Sequence, residues 1–144
     1  MRARNDKAIQ LLGQIQSGAV PNPPMWASVG FRLISVEPGE IKAQAQAADA
    51  HANAFGHVHG GFSATVLDTV LGLSIYTTLG ADDQHVTVDL AIKLVGRVPP
   101  DEPVYASSSL VQMTRQLGVS EARLCDLDNN VLVHGTTTCL IRRA

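Results

Sequence analysis

Very little in this 144-residue chain is of the kind that binds nucleic acid, enters a membrane or is stapled by disulfides. Charged residues make up only 17%, the net charge is −2, the pI is about 6.2, and no dense Lys/Arg run occurs. No positive field is available to hold a polynucleotide, so no nucleic-acid partner is expected. There are two cysteines, Cys125 and Cys139, both in strand-like segments and neither in a CxxC pair. They read as buried free thiols of a reducing cytosol. The opening MRARNDKAIQLLGQ lacks an uninterrupted apolar stretch and a small-residue cleavage site, which argues against a secretory signal and for a cytoplasmic protein. Residues 61–80 have nearly the length of a membrane span but carry four threonines, two serines and Asp68. A carboxylate at that depth costs on the order of a few kcal/mol, so no membrane partner is expected either.

Repeats, low-complexity stretches and linkers are missing as well, and 45% of the residues are hydrophobic. This is one globular domain, 1–144, with residues 1–25 forming an N-terminal helix and a Pro-rich connection. In residues 5–17, Ile9, Leu12 and Ile15 recur at roughly helical spacing. AVPNPPMW follows, with three prolines, and reads as an irregular connection. FRLISV (31–36) and the strictly alternating IKAQAQA (41–47) flank the turn residues Pro38 and Gly39 and predict a hairpin. A loop spans 48–58, and an apolar helix is expected from about 60 to 79. Strands follow at 85–95, 104–114, 117–127 and 131–142, with Asp128, Asn129 and Asn130 suited to a tight turn between the last two. Consecutive hairpin-linked strands plus one long helix predict an α+β layout, an antiparallel sheet packed on the helix.

The unusual stretch is NAFGHVHGGFSATVLDTVLG, 53–72, where Asp68 stands in an otherwise apolar helix. Its neighbours on the same helical face are Gly61, Ala64, Thr65 and Gly72, all small, while Val66, Leu67, Val70, Leu71, Leu73 and Ile75 fill the other faces. A ligand or another backbone can approach such a stripe closely. Gly60 and Gly61 stand where the helix starts, where free amides point outwards at the positive end of the dipole. With no side chain at Gly60, a substrate oxygen can reach that amide, as in an oxyanion hole. Each feature also has a plain structural reading: the Asp as partner of a buried donor, the Gly-Gly as a turn. Together they suggest a carbonyl polarised at one end and attacked with help from the other. His51, His57 and His59 offer a rival, an HxH metal site, but no Glu follows within a few residues as a cupin-type site would want, so no metal is assigned. His85 and His134 lie in strands and read as packing or solvent-facing residues.

Asn53, Gly56, His59-Gly60-Gly61 and Asp68 resemble the signature of hotdog-fold acyl-CoA thioesterases, the group containing the phenylacetate-pathway and 4-hydroxybenzoyl-CoA enzymes. Thr87, Val88 and Asp89 resemble the strand that follows the helix in that family, and the likeness runs from about residue 30 to 142. The resemblance implies a long helix wrapped by a curved antiparallel sheet, homodimers that often pair into tetramers, and active sites at the dimer interface. It implies hydrolysis of an acyl- or aryl-CoA thioester without a metal, and no cofactor, because CoA is part of the substrate. Asp68 would be nucleophile or general base, and Gly60 would give its amide to the thioester oxygen. Asn53 would orient the carbonyl or the attacking water, His59 would support the loop or the thioester end, and Thr87 would position the water or the carboxylate. Gly61 would belong to the substrate-binding helix start, and Lys93, Arg97 and Arg115 are candidates for the CoA phosphates. Two departures stand out. Gly72 occupies a position where Glu-type relatives often carry Ser or Thr, so this chain resembles the Asp-type branch. KLVGRVPPDE differs from the usual aromatic or Arg before a single Pro. The alternatives are a hotdog module that binds acyl-CoA without turnover and a hotdog enoyl-CoA hydratase or dehydratase. An aromatic content of 4% makes no case for aryl over aliphatic acyl groups.

Overall fold

The structure is a computed structural model and describes residues 3–144; the first two residues of the domain expected from the sequence lie outside it. Two N-terminal helices, α1 (Asp6–Ser17) and α2 (Pro24–Ser28), precede the hairpin β1 (Arg32–Glu37) and β2 (Glu40–Gln46). The long helix α3 (Gly60–Tyr76) follows, and the chain ends in β3 (Gln84–Leu94), β4 (Pro103–Met113), β5 (Leu117–Cys125) and β6 (Val131–Arg142). All six strands form one antiparallel sheet in the order β1-β2-β4-β5-β6-β3, curved around α3. This is the hotdog arrangement. No helix among the described residues is long and apolar enough to cross a membrane.

The alternation in β2 survives intact: Ile41, Ala43 and Ala45 are buried against α3 while Lys42 stays outside. The two small alanines let the helix lie close to the sheet. Val66, Leu67, Val70, Leu71 and Ile75 of α3 are fully buried. Two strand serines fix the helix in register: buried Ser108 donates to the Val70 carbonyl at 2.6 Å, and buried Ser120 to the Leu71 carbonyl at 2.9 Å. Each hydroxyl would be costly to bury unpaired, so the two bonds resist rotation or sliding of the helix. Cys125 and Cys139 are buried and free.

Three boundaries differ from expectation. The Pro-rich connection contains α2, because Pro24 occupies the first turn of a helix, where its missing N–H costs nothing. The loop before α3 holds a single 3-10 turn, Asp49–His51. The long helix ends at Tyr76 rather than near 79: the Thr77 and Thr78 hydroxyls donate back to the Ser74 and Ile75 carbonyls at 3.0 and 2.8 Å. Leu73, expected in the core, is only half-buried and packs against its margin.

Gly135 marks a tight contact between helix and sheet. A Cβ there would stand 3.0 Å from Leu67 Cδ1, 3.1 Å from Ile92 Cγ2 and 3.2 Å from the Ala91 carbonyl oxygen. Gly135→Ala overpacks this junction and is expected to lower stability by about 1–3 kcal/mol. Chemical denaturation checks this, and an unchanged midpoint would show that the sheet relaxes around the methyl group.

Candidate functional site

Asp68 lies half-buried midway along α3, on the face turned toward β3. Thr87 of β3 donates to Asp68 Oδ1 at 3.5 Å, and its Oγ1 lies 3.7 Å from Cys139 Sγ beneath it. Burial, reinforced by the Asp68 charge, pushes the Cys139 thiol up, so it stays protonated and unreactive.

A bulge in β3 brings Thr87 to this position. The register shifts between Thr87, opposite Cys139, and Asp89, opposite Thr138. Without the shift, Thr87 would share a face with Asp89, Ala91 and Lys93. With it, His85 and Thr87 join Leu90, Ile92 and Leu94 on the inner face, and Asp89 and Lys93 turn outward. His85 was expected to be packing or solvent-facing. It lies half-buried on the inner face, its ring stacked on Tyr76 with centroids 5.7 Å apart, and its Nε2 would stand 3.7 Å from a Cβ on Gly72, one helical turn beyond Asp68. Burial holds its imidazole below the ordinary value of 6.5. The signal in the sequence was its spacing of two from Thr87, which puts both on one strand face.

At the other end of α3, His59 caps the helix: its Nδ1 accepts from the Gly61 N–H at 2.7 Å. A Cβ on Gly61 would lie 2.8 Å from that nitrogen, so the cap requires glycine there. Asn53 shapes the preceding turn. Its Oδ1 accepts from the Phe55 and His57 N–H groups at 2.8 and 3.1 Å, which leaves its amide NH2 to point elsewhere. His51 is tied to Ala48 N–H at 2.9 Å through Nδ1 and to the Ser28 carbonyl at 2.6 Å through Nε2. His51 and His59 thus serve separate tasks. A cleft of about 670 Å3 opens beside this turn, lined among others by Asn53, Gly60, Ser63, Leu94 and Arg97, a size suited to a small-molecule ligand.

The expected site residues therefore fall into groups. Asn53, Gly60 and Arg97 share the cleft, with His59 and Gly61 forming the helix start beside it. Asp68 and Thr87 form a second group, and eight residues of helix separate Gly60 from Asp68, about 12 Å along the axis. Lys93 faces outward opposite His134, and Arg115 lies in the β4–β5 turn, where its carbonyl accepts from Arg143 Nε at 3.1 Å. Neither reaches the cleft within one chain. β3 is an edge strand, eleven residues long, and among the described strands it pairs with β6 alone. Its exposed residues include Val86, Val88 (59% exposed), Leu90 and Leu94, continued by Val95 (66%).

The family model of the thioesterase superfamily matches residues 55–133, more than half of the chain. Acyl-coenzyme A thioesterase 13 of Homo sapiens and its Pongo abelii counterpart are each 24% identical over 102 residues, 70% of this chain and 71% of theirs. Among solved structures, the fold matches a phenylacetic acid degradation-related protein of Ralstonia eutropha JMP134 with a TM-score of 0.79 at 21% identity, covering 90% of this chain and 98% of that one. It matches a Haemophilus influenzae thioesterase with a TM-score of 0.80 at 17% identity, over 92% and 90%. A Streptococcus mutans protein solved with acetyl CoA bound matches with a TM-score of 0.72 at 20% identity, over 78% and 88%. The chain belongs to the thioesterase superfamily and is a thioester hydrolase on the hotdog fold.

Proposed function

We propose that this protein is an acyl-CoA thioesterase whose active site is completed by a second copy of the chain. The observation that carries the reading is the division of one helix into two half-sites. Gly60, at the helix start, lines an open cleft, and about 12 Å farther along, Asp68 stands beside Thr87 next to a free sheet edge. One thioester carbonyl cannot touch both groups of one chain. An isologous pairing along β3 solves this, because antiparallel strands place the Leu94 end of one copy beside the Thr87 end of the other. Leu94 lies over Gly60, so the partner's helix start would arrive opposite Asp68. The same pairing covers the long apolar edge, which is otherwise an aggregation hazard.

In this reading the Gly60 amide holds the thioester oxygen as it gains charge. The free amide NH2 of Asn53 supports the carbonyl, and the His59 cap fixes the direction of the helix start. Asp68 attacks the carbonyl or takes a proton from the water that does, with Thr87 steadying carboxylate or water. The C–S bond breaks, CoA leaves as its thiol, and water supplies the hydroxyl of the free acid. Arg97, at the mouth of the cleft, is placed for a CoA phosphate. No cofactor takes part, because CoA belongs to the substrate. The Streptococcus mutans structure, with its acetyl CoA, supports a CoA ester as ligand. Two buried free thiols fit a reducing cytosol as its location.

The test is thiol release from short, medium, long and aryl acyl-CoAs, followed with a thiol reagent. Release from at least one series supports the assignment. Tight binding by calorimetry with no release from any of them would make the protein a binding module instead.

A further inference from the structure

His85, Gly72 and Tyr76 form a second polar feature beside Asp68 that the hydrolytic chemistry does not use. His85 lies on the inner face of β3, two residues from Thr87 and opposite Ile141. Its ring stacks on Tyr76, and neither ring nitrogen hydrogen-bonds another described residue. A Cβ on Gly72 would meet only one atom within 4 Å, His85 Nε2 at 3.7 Å. The missing side chain therefore leaves a gap with an imidazole edge on one wall, one turn of α3 past Asp68. A half-buried polar ring with no partner beside open space is a recognition element waiting for a ligand atom.

We infer that His85 is a specificity-determining residue that hydrogen-bonds a hydroxyl group on the acyl chain, in the gap over Gly72. The inference rests on the acyl-CoA thioesterase reading. With the carbonyl carbon at Asp68, the acyl chain has room on the Gly72 side, where the helix carries no side chain. One helical turn is about 5.4 Å, the reach of about four chain bonds, so the hydroxyl belongs on the fourth or fifth carbon and not beside the carbonyl. A hydroxyl suits this imidazole in particular. It both donates and accepts, so it satisfies Nε2 in either tautomer. Burial holds its pKa below the ordinary value and so favours the uncharged ring, a weaker partner for an acyl group ending in a carboxylate. Tyr76, stacked on the ring, holds its plane and bounds the gap on the side away from Asp68.

The experiment compares kcat/KM for pentanoyl-CoA, 5-hydroxypentanoyl-CoA and 3-hydroxypentanoyl-CoA in the wild type, His85→Phe and His85→Gln. The wild type is expected to favour the 5-hydroxy over the plain ester about tenfold, with no gain for the 3-hydroxy ester. His85→Phe brings the 5-hydroxy to plain ratio close to one, and His85→Gln, which keeps a donor and an acceptor, restores part of it. A fold defect would lower all three rates together and leave the ratios alone. A wild-type ratio near one, or a ratio that neither variant changes, overturns the inference while the thioesterase reading stands. No thiol release from any ester, including the wider acyl-CoA series, overturns both.

Discussion

Asp68→Asn is expected to lower kcat for thioester hydrolysis by about 10²–10⁴-fold, the range associated with losing a positioned acid-base group. The substitution is nearly isosteric and removes the charge while keeping an oxygen that can accept from Thr87. Asp68 has one side-chain partner among the described residues, Thr87 at 3.5 Å, and it is half-buried. If it served to satisfy a buried donor, that donor would be close and well aligned, as Ser108 is to the Val70 carbonyl at 2.6 Å. Its surroundings are instead those of a group kept available. The variant should therefore melt close to the wild type and sediment as the same species. The loss should fall on kcat more than on KM, because the carboxylate acts on the carbonyl carbon and not on the CoA portion that contributes most of the binding. Thiol release, thermal melting and sedimentation on one preparation check all three points. Full activity in Asp68→Asn would remove the carboxylate from the mechanism, and a large fall in melting temperature would assign it a structural part.

The sequence made Asp68 visible by contrast, one charge among apolar residues at helical spacing. The two glycines before it were visible too, although a Gly-Gly there reads equally as a turn, and Gly61 in fact makes room for the His59 cap. The hairpin was legible in IKAQAQA, where period two is unbroken and the structure buries Ile41, Ala43 and Ala45. What escaped depends on contacts between elements distant in the chain. The bulge between Thr87 and Asp89 has no local signature in Thr-Val-Asp, yet it decides that Thr87 faces the helix and Lys93 faces away. His85 looked like ordinary strand packing because its relation to Gly72 exists only once helix and strand meet. Asn53 carried a further ambiguity: an Asn before Gly56 suits a turn as well as a ligand, and its oxygen serves the turn. α2 was hidden by prolines, which read as breakers unless one knows that Pro24 occupies the first turn.

Mixing two inactive variants is expected to restore activity. Take Asp68→Asn in one preparation and Gly60→Val in another. A side chain on Gly60 would point at Leu94 Cδ1, 2.9 Å from its first carbon, but that atom is the far end of a flexible side chain and can swing away. The fold should hold while the valine crowds the amide that receives the thioester oxygen. If one active site takes Asp68 from one copy and Gly60 from the other, a hybrid dimer contains one fully wild-type site and one doubly disabled site. Random exchange of equal amounts makes half the dimers hybrids, each with one good site of two, so about a quarter of wild-type activity returns. Each parent alone stays inactive at any concentration. The exchange must be driven, for example by unfolding and refolding the mixture together, because the two copies would share a continuous sheet. A charged residue at the centre of the edge strand, Val88→Lys, should block both the pairing and the recovery while leaving a monomer with a folded core, since Val88 is the bulged residue and lies exposed. Refolded mixtures with no more activity than their parents, despite hybrids seen by mass spectrometry, would place the whole site within one chain. The 12 Å between Gly60 and Asp68 would then have to be bridged by a movement of the helix start.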